Sequence, residues 1–304
     1  MISENQINYI IALEKYKRFQ VAADKCFVTQ PTLSMQIKKV EDLLGNQIFD
    51  RTTNPLSLTR FGKKVIPKLR VIQSEYTALS NLIKETEGNF KEKIRVGIIP
   101  TIAHYLIPEY YHNWQKKINN AQLDISELKT KDVLEKLFAR EIDLGIIAGP
   151  IREKDIQSSI LYNEKIKIFT TDSESSVISI DKLEEMRPWL LAEGNCLRTQ
   201  MVNFCNVKDP DDKWLYAGGS LEVLMKMVVK NGGYTLLPEF FELPAPYIKY
   251  LKDIENHNPF RQVIAIYNKN DSKKPVMDDL IREIQSSKSN TFNEGKLGEL
   301  LPWE

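Results

Sequence analysis

Between residues 61 and 83 the side chains Phe61, Val65, Leu69, Ile72, Tyr76, Leu79 and Ile83 recur at steps of four, four, three, four, three and four. That spacing is close to a heptad repeat and predicts one long helix with a narrow apolar seam. A helix of this length has too little local core to cover its own seam. A partner helix from a second copy of the chain is therefore expected, the alternative being packing on the chain's own domains. Pro67 falls inside the run and is expected to kink the helix rather than end it. Glu87-Gly88-Asn89 should close it and open a hinge. The 304 residues thus divide into a head over 1–60, a linker over 61–90 and a body over 91–304.

Charge divides along the same line. Residues 1–70 hold twelve Lys and Arg against six Asp and Glu, although the whole chain is only +1, so the remainder is net negative. A small basic head on a mildly acidic body suits a nucleic-acid binder with a separate sensing part. An apolar fraction of 42% and a charged fraction of 27% exclude wholesale disorder and collagen-like repeats. No apolar run approaches the roughly 18 residues of a membrane span. The start, MISENQINYI, lacks a basic stretch followed by an apolar core, so secretion is not expected. Three cysteines without an even framework point to a reducing cytoplasm.

In the head, Ile7, Ile10, Ile11 and Leu13 form one helical stripe, and Phe19, Ala22, Ala23 and Cys26 mark a second short helix. VTQPTLSMQIKKVEDLLG follows, with Thr29 as a cap, Pro31 in the first turn and Gly45 as the stop. Leu33, Ile37, Val40 and Leu44 line its inner seam. Pro31, Met35 and Lys38 lie opposite, flanked by Thr32, Ser34 and Lys39. This is a helix-turn-helix pattern, with Gln30, Thr32, Ser34, Met35 and Lys38 as candidates for the major groove. QIFDRTTNPLSLTRFG reads as a two-stranded wing, with Arg51 and Arg60 available for phosphates.

The body alternates strand and helix: strand Ile94–Ile99, helix from Pro100 through Trp114, strand Leu123–Leu128, helix Val133–Arg140, strand Leu144–Ala148. That order predicts a parallel sheet covered by helices. A second series runs through Lys165–Thr170, Trp189–Leu191, Leu221–Val229 and Tyr234–Leu237. A strand Gln262–Tyr267 and a helix around Val276–Ile284 complete it, and 288–304 reads as polar and loosely ordered. Two small α/β lobes with a cleft fit this count. The first lobe is expected over about 91–163 and 268–304, the second over about 164–267. The absence of G-x-G-x-x-G and of a phosphate loop disfavours a nucleotide enzyme, and no cofactor is expected. His104, His112 and His257 have no carboxylate or cysteine at ligand spacing, so no metal site is expected either. Nothing resembles a Ser-His-Asp set.

LLAEGNCLRTQMVNFC places two cysteines nine residues apart. Gly194 and Asn195 are expected to end a strand, with Asn195 capping a helix and Cys196 in its first turn. There the helix dipole favours a thiolate, and Arg198 adds positive charge. If the segment is helical throughout, the Cα atoms of Cys196 and Cys205 lie about 13–14 Å apart. A disulfide needs roughly 4.4–6.8 Å. The residues alone leave two readings open: a reactive pair, or two small buried hydrophobes, the latter being the reading for Cys26 as well.

The whole layout resembles a LysR-type transcriptional regulator, and the likeness covers nearly the full chain. AADKCFVTQPTLSMQIKKVEDLLGNQIFDR is similar to that family's winged helix-turn-helix, and LSLTRFGKKV to its wing and linker start. Within the family, EGNCLRTQMVNFC, IIPTIAHYLIP and SLEVLMKMVVKNGGYTLLP resemble the branch that senses hydrogen peroxide. The resemblance implies a peroxidatic Cys196 and a resolving Cys205, with Thr101, Thr130, Asn195 and Arg198 around the peroxide. It implies a regulatory domain like a periplasmic binding protein, joined by the linker helix to the DNA-binding head. It also implies homodimers or homotetramers on promoter DNA, RNA polymerase as a partner, and no membrane association. Asn195 stands where that branch usually has a histidine, and Thr199 where it usually has an aspartate; neither titrates near neutral pH. Two rivals remain: a regulator that holds a small metabolite in the cleft, with Thr101 and Ser220 at helix N-termini and inert cysteines, and a thiol peroxidase. The basic head speaks against the second.

Overall fold

Ser3 starts the first helix, α1 (Glu4–Tyr16), by a reciprocal cap: its hydroxyl accepts from the Gln6 N–H, and the Gln6 side chain accepts from the Ser3 N–H. The chain is described here from a computed structural model covering residues 1–86, 92–118, 121–172, 174–207, 218–269, 271–288 and 298–302. It divides near residue 91 into two units. In the first, α1 buries Ile7, Ile10, Ile11 and Leu13 against Ala22 and Ala23 of α2 (Phe19–Lys25). Helix α3 (Gln30–Leu44) begins at Thr29, whose hydroxyl accepts from the Thr32 N–H, and ends at Gly45, where φ of 66° favours a residue without a side chain. Leu33, Ile37 and Val40 face the same core as expected, with Leu44 partly buried beside them.

The wing is a two-stranded ribbon, β1 (Phe49–Asp50) antiparallel to β2 (Ser57–Leu58). Its entry is fixed by Glu41, a buried carboxylate on α3. One oxygen accepts the N–H groups of Ile48 and Phe49 at 2.8 and 3.2 Å, and the other accepts from Arg51 at 2.9 Å. Arg51, expected to be available for phosphate, also braces the head through Glu41 while its side chain stays 38% exposed. The sequence showed its charge but not the carboxylate ten residues earlier that claims it.

Helix α4 (Arg60–Thr86) runs 27 residues through Pro67. At Gly62 the helix backs onto the ribbon so closely that a Cβ would run into the Ile48 carbonyl. The apolar seam divides along its length. Leu69 is buried in the head core, with Phe61 and Val65 partly buried against it. Ile72, Tyr76, Leu79 and Ile83 are 43, 39, 58 and 60% exposed. The head core therefore reaches to Leu69, past the boundary expected at residue 60. The stop expected at residues 87–89 lies outside the described residues.

In the second unit, β3 (Glu92–Ile98) pairs in parallel with β4 (Ala121–Glu127) and β5 (Leu144–Gly149). Helices α5 (Pro100–Lys117) and α6 (Thr130–Phe138) connect them. The next strand, β6 (Ile156–Thr170), is 15 residues long. After it come β7 (Val177–Ile178), α7 (Ile180–Glu184), α8 (Cys196–Phe204), α9 (Leu221–Asn231), β8 (Tyr234–Pro238) and β9 (Leu251–Ile254). Strand β10 (Phe260–Asn268) and α10 (Lys274–Ser287) follow. The strand order is β4-β3-β5-β10-β6-β9-β7, with β8 also on β6.

The three strands expected to be parallel are so, and the full sheet is mixed, because β10 runs antiparallel to both β5 and β6. And β6 starts nine residues before the expected Lys165, since Gln157, Ser158 and Ser159 interrupt the apolar run that marks a buried strand. The first half of β6 pairs with β10, the second with β8 and β9, so one strand serves two cores. The first core gathers β3, β5, α5 and α10 with Val263–Tyr267 of β10. The second gathers Ile166, Ile168 and Phe169 with α8, α9, β8 and Leu301. Residues 262–267, expected in the second lobe, belong to the first by pairing with β5, and Leu301 packs in the second by accompanying Phe260. Trp189–Leu191 is not a strand; its backbone is met by single bonds such as Trp189 N–H to the Tyr234 carbonyl. Of the tail beyond 288, 298–302 is described and 289–297 is not.

Candidate functional site

Three helix starts meet around one sulfur. A turn, with Gly194 at φ of 83°, leads into α8, so Cys196 becomes its first residue, buried in the first core. Its neighbour Leu197 faces the second core. Thr101 is the second residue of α5 and Thr130 the first of α6, and both are buried. Burial pushes the Cys196 thiol above its ordinary value, while Arg261, the Leu197 N–H and the hydroxyls of Thr130 and Thr101 oppose it. Thr130 Oγ1 makes no full hydrogen bond to a protein nitrogen or oxygen, which leaves it for the sulfur or a ligand beside it. N-terminal turns present unpaired N–H groups and a positive dipole end, which suits a sulfur that must become an anion.

Not every residue singled out from sequence is used as expected. Asn195 occupies the cap position and is buried, but makes no side-chain cap; its amide donates to the Ala192 carbonyl at 2.7 Å. Arg198 turns away, donating to the Leu191 carbonyl at 3.0 Å. The cation that favours the thiolate is Arg261 rather than Arg198, and burial is the largest influence against it.

Arg261, Glu164, Tyr105 and Tyr162 are site residues beyond those expected. Arg261 on β10 and Glu164 on β6 are direct cross-strand partners, so the sheet register sets the ion pair. Both side chains are fully buried, with Nε to Glu164 Oε1 at 2.5 Å. The remaining guanidinium donors reach Thr101, at 2.9 Å to its hydroxyl and 3.1 Å to its carbonyl. Tyr105 donates to Glu164 Oε1 at 2.9 Å and lies 2.6 Å from the Tyr162 hydroxyl. Burial alone would lower Arg261, but the facing carboxylate more than reverses this and holds it charged. The available signal was a charge inside each apolar run, YNEKIKIF and PFRQVIAIY. A charge in a strand that is otherwise buried requires a partner.

Cys205 is the C-cap of α8, buried in the second core. Burial pushes its thiol up to about 12, opposed by a hydrogen bond from Tyr234. All three cysteines are free. The two thiols of interest therefore belong to different cores at opposite ends of a nine-residue helix. A cavity of about 150 Å³, lined in part by Glu184, Asn206 and Tyr234, opens beside Cys205. A larger one of about 470 Å³ opens beside Thr101, with His104, Glu127, Ser220 and Glu222 around it. In the head, Gln30, Met35 and Lys38 are exposed on α3, Thr32 and Ser34 are half-buried beside them, and Arg60 is exposed at the start of α4.

Known proteins are similar to this chain in sequence and fold. A hydrogen peroxide-inducible genes activator from Haemophilus influenzae is 30% identical over 268 residues, covering 86% of this chain and 89% of the relative. The HTH-type transcriptional regulator EstR of Acinetobacter baylyi is 28% identical over 296 residues, covering 94% and 98%. A full-length OxyR variant from Pseudomonas aeruginosa superimposes with a TM-score of 0.71 at 26% identity, covering 94% of this chain and 98% of that one. Residues 5–63 match the bacterial regulatory helix-turn-helix protein of the lysR family, and residues 87–288 match the LysR substrate binding domain. With both of its parts accounted for in order, the chain belongs to the LysR family of bacterial regulators.

Proposed function

We propose that this chain is a peroxide-responsive transcription regulator, switched by a disulfide between Cys196 and Cys205. The observation that carries the reading is a buried thiol at three converging helix starts, with Arg261 behind it and a second thiol at the far end of its helix. The Cys196 thiolate attacks one oxygen of hydrogen peroxide. The O–O bond breaks, hydroxide leaves and takes a proton to become water, and Cys196 is left as a sulfenic acid. Thr101 and Thr130 hold the peroxide by hydrogen bonds, and Arg261 supports the thiolate. Cys205 then attacks that sulfur and displaces a second water, so two thiols and one peroxide become a disulfide and two waters. The helix between the thiols must unwind, since roughly 13–14 Å of helical rise separates their Cα atoms.

The remodelled domain alters how the heads sit on promoter DNA and how the complex meets RNA polymerase. Homodimers or homotetramers form through the exposed half of the α4 seam, and the protein works in a reducing cytoplasm, where the disulfide is reversed. The head makes it a regulator rather than a thiol peroxidase. A carboxylate effector in the 470 Å³ cavity is disfavoured by Glu127 and Glu222 on its walls. The test is a footprint on a duplex selected by the reduced protein, with and without peroxide. The wild-type footprint should shift and the Cys196→Ser footprint should not. A Cys196→Ser protein that still responds would return the reading to a metabolite sensor.

A further inference from the structure

Phe27 closes helix α2 in a conformation that favours glycine. Its N–H bonds the Asp24 carbonyl at 3.2 Å, and the Val28 N–H reaches back to the Ala23 carbonyl at 3.1 Å. These are the two bonds of the Schellman helix ending, whose residue after the cap adopts a left-handed backbone. Phe27 sits there with φ of 55°. An L-residue with a bulky side chain is strained in that region, and glycine or asparagine would relieve it. Packing does not compensate, because the ring is 95% exposed. The strain therefore supports an aromatic ring held out in solvent.

The ring's place in the chain indicates what covers it. Phe27 lies two residues before Thr29, the cap of α3, within the segment that matches the lysR-family helix-turn-helix. In such motifs the start of the second helix enters the major groove. Met35, 50% exposed, is a second apolar side chain on that helix, beside the exposed Lys38. We infer that Phe27 is a non-ionic DNA contact, packing its ring on the apolar surface at the edge of the major groove. That surface is supplied by deoxyribose or by thymine methyl groups. The inference rests on the DNA-binding reading above and extends it to a residue that carries no charge and no hydrogen-bonding group.

The test uses the full-length protein and the duplex it enriches most strongly from a random-sequence pool. Phe27→Asn should raise the melting temperature, because asparagine tolerates the left-handed backbone, and weaken duplex binding about tenfold. The slope of affinity against salt should stay unchanged, because no phosphate contact is lost. Phe27→Tyr should bind like the wild type. Replacing each thymine by uracil in turn separates the two sources: a thymine contact loses affinity at one position in the wild type only, and a deoxyribose contact at none. A Phe27→Asn protein that binds within twofold of the wild type would overturn the inference. So would one whose sedimentation mass changes while its affinity does not, which would give the ring to a second copy of the chain. A wild-type protein that enriches no duplex would remove the DNA-binding reading as well.

Discussion

Replacing Arg261 by methionine removes the only cation bonded to Glu164 among the described residues, and the cost follows from the geometry. The guanidinium makes a 2.5 Å bond to Glu164 and two more to Thr101, all at fully buried positions. Breaking a buried pair from one side costs about 3–5 kcal/mol, because the remaining charge is left without its counter-charge. Arg261→Met and Glu164→Leu should each destabilise by that amount in urea titrations of the full chain. The double variant leaves no stranded charge, only the hydroxyls of Tyr105 and Thr101, and should lose about 1–3 kcal/mol. The sign with pH is also set. Burial holds the Glu164 carboxyl above its ordinary value of 4.5, and losing Arg261 raises it further. Stability that depends on a raised carboxyl is fully present below its unfolded value and is lost as pH rises through the folded one. The Arg261→Met deficit should therefore be smallest near pH 5 and grow toward pH 8. Single losses that add to within about 0.5 kcal/mol in the double variant would refute the reasoning, since they would show no coupling.

Ile72→Glu with Leu79→Glu should give folded monomers in sedimentation, because both side chains stand exposed beyond the head core; surviving dimers would place association elsewhere. Leu69, 3% exposed in the head core, is the wrong site for that test, as a charge there would unfold the head. Arg60→Ala should flatten the salt dependence of DNA binding by about one unit of slope. Arg51→Ala should instead lower the melting temperature by stranding Glu41, and an unchanged melting temperature would return Arg51 to phosphate contact. Cys205→Ser should react with peroxide and stop at the sulfenic acid, detectable with a dimedone probe; no adduct would remove Cys196 from the peroxidatic role.

Local order was legible in the sequence where local chemistry decides it. The Leu33–Ile37–Val40 stripe, the Thr29 cap and the Gly45 stop are set by neighbours within a few residues, and each stands where the pattern placed it. The α4 seam was legible as a periodicity, but its division at Leu69 was not, because that depends on how far the head core reaches. The first half of strand β6 is obscured in the apolar pattern by its serines, and its pairing with β10 is antiparallel, which strand–helix alternation does not encode. At the site, Pro100 marks the helix start that holds Thr101, whereas Thr130 opens a helix expected only from Val133 and is pointed to by the family resemblance alone. Nearness in sequence points to Arg198, two residues from Cys196, as the source of the charge. The structure assigns it to Arg261, brought there by sheet register across 65 residues of chain.

The central claim is tested most directly by peptide mapping after one equivalent of hydrogen peroxide, with free thiols alkylated beforehand in a control sample and afterwards in the treated one. The account predicts the loss of two thiols per chain, a single cross-linked species joining the peptides of Cys196 and Cys205, and Cys26 still alkylated. Recovery of Cys196 as a free thiol, or a cross-link that includes Cys26, would contradict it.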